Sequence, residues 1–287
     1  MSAPGDRFTR FAAIDWSGAR GRRHRGIALA LCERGRDAPR LVEPAAGGAW
    51  SRQGVLDWLL ARADEPLLVG FDFSFSAPFA RGAHLPGETD TRSGPALWAY
   101  VDAACTDEDL GAASFIEARR GRYFWCGAGD GRKGDFLHYR TCETPEGQAK
   151  PSTVFDALGA AQVAKASWAG MRLLHRLDGR IPVWPFAPVP ATGALVVEIY
   201  TAVAARAAGL RKGRSKLRGP AALDAALTSP AIGSLPHLPL ASYSDHATDA
   251  ILTAAWLRAS AGNADLWQPA GMTPAVALTE GWTFGVR

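Results

Sequence analysis

The chain has 287 residues, 47 % hydrophobic and 21 % charged, with a formal net charge of +4 and a pI near 9.0. That length is ample for a sizeable core and the composition is normal for a soluble globular protein; so mild a basic balance would help a polyanionic partner without requiring one. No segment approaches the roughly 20 apolar residues of a membrane span, and the N-terminal "MSAPGDRFTR" has no apolar signal region, so a soluble, cytoplasmic protein with no membrane partner is expected. The four cysteines, Cys32, Cys105, Cys126 and Cys142, show no CxxC spacing. They read as reduced thiols, and a structural zinc site is excluded.

In chain order, residues 8–16 read as a strand ending in "DWSG", and residues 25–33 as a second, joined by the basic turn "GARGRRHR". "PRLVEPA" is a candidate third strand, which would complete an antiparallel meander. Residues 51–63 carry Val55, Trp58, Leu59 and Leu60 at helical spacing behind Ser51, a suitable N-cap. Leu67–Phe71 reads as a buried strand, ending in Asp72. From about Ala80 to Lys150 periodicity weakens, and the segment is expected to be an insertion covering one side of the molecule. A helix near 158–178, strands at 181–186 and 194–200, and helices at 201–209 and 220–228 follow. Residues 244–260, "SDHATDAILTAAWLRAS", form the clearest helix, and "EGWTFGV" is a short strand or a packed tail.

Acids recur at the ends of these elements: Asp15 and Asp72 close two strands, Glu198 lies near the end of a third, and Asp245 and Asp249 sit one turn apart at a helix start. Each alone reads equally as a turn or cap residue. Together they suggest a site, because carboxylates beside apolar runs need cations or metals as partners. A meander, a helix, a parallel strand, then helices and a further strand is the order of the ribonuclease H-like fold: an α/β fold whose mixed central sheet joins an antiparallel three-strand meander to parallel strands, flanked by helices. The whole chain is expected to be one such domain carrying the insertion at about 80–150.

The stretches "AAIDWSG", "LVGFDFSFSAP", "KPSTVFDALGAAQVAKASWAGMRLLHRL", "VWPF", "VVEIY", "SDHATDAILTAAWL" and "EGWTFGV" span nearly the whole chain. In them the sequence resembles the family called domain of unknown function 429, described as predicted ribonuclease H-like nucleases. Relatives often have Pro where this chain has Thr201. The resemblance implies a site for two Mg²⁺ or Mn²⁺ ions, with Asp15 bridging both, Asp72 on one, Asp249 on the other, Asp245 as a further ligand and Glu198 as a further catalytic candidate. Two such ions would clamp the attacking and leaving oxygens of a phosphodiester, and hard oxygen ligands select Mg²⁺ or Mn²⁺ over zinc.

A metal-dependent nuclease is therefore the expected activity. An ATP-binding phosphotransferase of the actin and sugar-kinase type and a non-catalytic binding protein of the same fold are the alternatives. Phosphate contacts of DNA, RNA or a phosphorylated small molecule are sought in Arg22 and Arg23 of the first hairpin, Lys150, and the loop carrying Arg211, Lys212, Arg214, Lys216 and Arg218, each equally readable as a solvated surface. His246 is a candidate for proton transfer, and Trp16 and Trp125 for base stacking. "GAGDGRKG" lacks the features of a P-loop.

Overall fold

The computed structural model describes residues 3–144, 151–158, 163–211 and 217–287. Its centre is a mixed six-stranded sheet: β1 (Arg10–Asp15), β2 (Ala28–Glu33), β3 (Arg40–Leu41), β4 (Leu67–Asp72), β5 (Val183–Trp184) and β6 (Leu195–Glu198), in the order β3-β2-β1-β4-β6-β5. β1, β2 and β3 are antiparallel neighbours; β4, β6 and β5 extend the sheet from β1 as parallel strands. The inner strands are apolar on both faces, as strands covered on both sides must be. The outer ones are two residues long. Pro39 and Pro44 flank β3, Pro182 and Pro185 flank β5, and a residue without an N–H cannot extend a ladder.

Alternation along the strands divides the core in two. Ala12, Ile14, Val69, Phe71 and Val196 face one side, packed with α1 (Arg52–Leu60), α2 (Gly94–Ala104), α3 (Ala113–Glu117) and α4 (Val163–Arg176). Phe11, Ala13, Leu68, Leu195 and Val197 face the other, covered by α5 (Thr201–Ala207), α6 (Pro220–Leu227) and α7 (Asp245–Ser260). The short helix α8 (Pro274–Thr279) leads into a tail whose Thr283 bridges to Glu198 and whose Trp282 and Phe284 are buried. The expected helix starts hold: the Ser51 and Ser244 hydroxyls accept the N–H of Gly54 and Ala247.

No described residue between 80 and 144 enters the six-stranded sheet. The segment lies over the α4 face, where Arg172 of α4 and Arg176 pair with Asp102 of α2. Its tip is pinned by Asp109, whose carboxylate accepts the N–H groups of Arg52 and Gln53 and bonds His24. All four cysteines are free thiols. Among the described residues no helix is long and apolar enough to cross a membrane.

Candidate functional site

β1 and β4 are in register, so Asp15 stands beside Asp72 at the carboxyl end of the central strand pair. By alternation both belong to the face of Phe11, Ala13 and Leu68, the face that α5 and α7 cover. Two glycines bring the cover close. A Cβ on Gly70 would fall 2.7 Å from the Ile199 side chain, so its absence lets Ile199 lie on β4 and carries the start of α5 over Asp72. A Cβ on Gly18 would fall 2.2 Å from the backbone nitrogen of Ala166, so the turn after Asp15 rests directly on α4. That contact is why an apolar strand ends in "DWSG": Trp16 anchors the turn, its indole donating to the Ala166 carbonyl at 3.1 Å, and small residues follow. Trp16 is thereby core, edge-on to Phe71, and has no free face for a base.

The first turn of α7 supplies Asp245, His246 and Asp249. His246 Nδ1 lies 2.7 Å from Asp15 Oδ2. These residues, with Asp15 and Asp72, line one cavity of about 470 Å³, whose opposite wall includes Ser74, Arg140 and Glu198. Burial, opposed by the hydrogen bond to His246, raises the Asp15 pKa above its ordinary value. Asp72 is raised well above its own, first by burial and then by the charges of Asp15 and Asp249; Thr201 counters this by donating from its hydroxyl and its backbone N–H. The hydrogen bond to Asp15 raises the His246 pKa in turn.

The expected convergence of Asp15, Asp72 and Asp249 is met in their placement around one cavity, and not in their side-chain positions. Among the described residues no three His, Cys, Asp or Glu side chains are grouped closely enough to hold an ion as they stand. The reason is local: Asp15 is turned onto His246 and Asp72 onto Thr201. The donor set still suits a hard dication. It is all carboxylate oxygen, and its members raise one another's pKa values as like charges do when no cation separates them.

Glu198 has a different role from the one expected. It shares a face with Val196, opposite to Asp15 and Asp72, and is 3 % exposed. Arg140, itself 1 % exposed, donates to it from both terminal nitrogens, at 2.7 Å and 2.5 Å. The N–H of Phe75 and the hydroxyl of Thr283 complete four hydrogen bonds, which fills the capacity of a carboxylate. Glu143 also pairs with Arg140, and Glu280 accepts from Thr141 and from the N–H of Phe79. This network ties the 80–144 segment, the sheet and the tail into one cavity wall.

The expected cations scatter. Arg22 is exposed and paired with Glu108, away from the acidic cavity; Arg23 is exposed and donates to the Ala49 carbonyl. Arg211 and Arg218 are exposed, and Lys150, Lys212, Arg214 and Lys216 lie outside the described residues. Trp125 sits under the Lys133 ammonium, 4.8 Å from it, and is not part of the acidic cavity. Sequence reasoning missed Thr201 and the Arg140 network. The one available signal was the departure from Pro at position 201, which supplies the N–H that Asp72 accepts.

Compared with known proteins, the chain matches no family profile, no curated protein and no solved structure.

Proposed function

We propose that the protein is a metal-dependent phosphodiesterase of ribonuclease H-like fold, acting on nucleic acid at the Asp15–Asp72–Asp249 cavity. The observation that carries this reading is the raised pKa of two adjacent buried carboxylates facing a third, in an open cavity. Such a cluster is costly for a fold to keep unless a cation relieves it. The strand order supports the fold: a meander joined through β1 to parallel β4 and β6, with the acids at the carboxyl ends.

Asp15, Asp72, Asp249 and Asp245 would hold Mg²⁺ or Mn²⁺. When bound, such ions supply an activated water and neutralise charge on the phosphodiester. The chain's own groups prepare the site. Thr201 fixes the Asp72 carboxylate. His246 is the cationic partner of Asp15 and would be displaced from it by a dication. The buried Arg140–Glu198 pair holds the facing wall without offering its charge to the substrate.

The test is Mn²⁺ titration by calorimetry together with hydrolysis of fluorophore–quencher oligonucleotides, for the native chain, Asp15→Asn and Asp72→Asn. Mn²⁺ binding and Mn²⁺-dependent cleavage, both lost in the two variants, are expected. A native chain that binds no Mn²⁺ and cleaves no oligonucleotide overturns the reading.

A further inference from the structure

A second and larger cavity, about 830 Å³, runs from the acidic site along the β2–β3 side of the sheet. His246 lines both, so the two are continuous. Three guanidiniums line the groove, those of Arg23, Arg25 and Arg40, against one carboxylate, Glu43. All three arginines are exposed. Among the described residues neither Arg25 nor Arg40 is paired with an acid. The other wall is apolar: Pro239, Leu240 and Leu238, the last 63 % exposed, where a large aliphatic side chain is unusual without a partner.

We propose that this groove is the track of a single strand of nucleic acid, leading its backbone to the acidic cavity; the direction of travel rests on the function proposed above. The walls divide as a single strand does. Guanidiniums match phosphate oxygens bidentately, and unpaired bases offer flat apolar faces to the leucine and proline side. A duplex presents phosphates outward and stacks its bases away, so it would leave the apolar wall unmatched. The hairpin that sequence reading singled out through Arg22 and Arg23 thus contributes through Arg23 and Arg25, while Arg22 is held by Glu108.

The experiment is fluorescence anisotropy with labelled oligothymidylate, oligouridylate and a duplex of equal length, free of divalent metal, at several salt concentrations. The proteins are the native chain, Arg25→Gln/Arg40→Gln and Asp72→Asn. The native chain should bind at least one of the single strands, more tightly than the duplex. The arginine variant should lose about tenfold in affinity, and its salt slope should fall by about 2, one counterion per lost phosphate contact. Its Mn²⁺ binding should be unchanged, and Asp72→Asn should still bind the strand. Unchanged binding by the arginine variant, no binding by the native chain, or a duplex bound as tightly as single strands overturns the proposal. Strand binding that depends on Arg25 and Arg40 without any Mn²⁺-dependent cleavage upholds the groove and counts against the hydrolytic reading alone. Cleavage by the arginine variant with native KM does the reverse.

Discussion

Asp72 is held between burial, two neighbouring carboxylates and the two donors of Thr201. Its pKa is raised in the folded chain, so its contribution to stability is present below the unfolded value of about 3.9 and is lost as pH rises through the raised one. The metal-free protein should therefore become less stable as pH climbs into the neutral range. Asp72→Asn should relieve this, raising the neutral-pH melting temperature by about 2 °C or more while removing Mn²⁺ binding. A variant that melts below the native chain at neutral pH would contradict the electrostatic account. Thr201→Val, which keeps the shape and the backbone N–H, should push the Asp72 pKa higher and weaken Mn²⁺ binding at neutral pH more than at alkaline pH, as a calorimetric pH series would show. At this scale Asp15, Asp72 and Asp249 were legible, because a carboxylate closing an apolar strand or opening a helix leaves a local trace. Thr201 was not, because its position over Asp72 depends on Gly70 admitting Ile199 across the sheet.

Among the elements, β1, β4 and α7 were legible from apolar runs and serine caps, whereas β3 and β5 shrank to two residues between prolines. Glu198 shows the same lesson inside one strand. In "ALVVEIY" it alternates with Val197 and shares the side of Val196, so its face was written in the parity; only the other strands say which face holds the acids. The seam between the turn after β1 and α4 was invisible, since it joins residues about 150 apart. It makes a sharp prediction. A Cβ at Gly18 would meet backbone atoms of Lys165 and Ala166 at 2.2 Å, and backbone cannot step aside as a side chain does. Gly18→Ala should cost about 2 kcal/mol or more in chemical denaturation. Gly21→Ala, three residues on, has open space around its Cβ and a positive φ of 101°, so it should cost only about 1 kcal/mol of backbone strain. Equal losses for the two would remove the seam from the account.

Across the whole molecule, one ionic network links the sheet, the 80–144 segment and the tail. Removing one partner of a buried pair strands the other, at about 3–5 kcal/mol. Arg140→Ala should lose that much stability and make the 80–144 segment more open to limited proteolysis. Arg140→Lys should rescue little of it, since an ammonium cannot reproduce the two-nitrogen grip on Glu198. Native stability in Arg140→Ala would mean the wall is held by other contacts. The groups that complete this wall come from residues 75, 140, 198, 280 and 283. A ribosome delivers them in that order. The strands bearing Asp15 and Asp72 are made early and can pair while much of the chain is still unsynthesised. Arg140 and Glu198 can then meet, but their carboxylate–hydroxyl closure waits for Thr283. The nascent protein thus passes through a stage in which two acid-bearing strands exist and the facing wall does not, and whatever the cavity does is withheld until synthesis has passed residue 283.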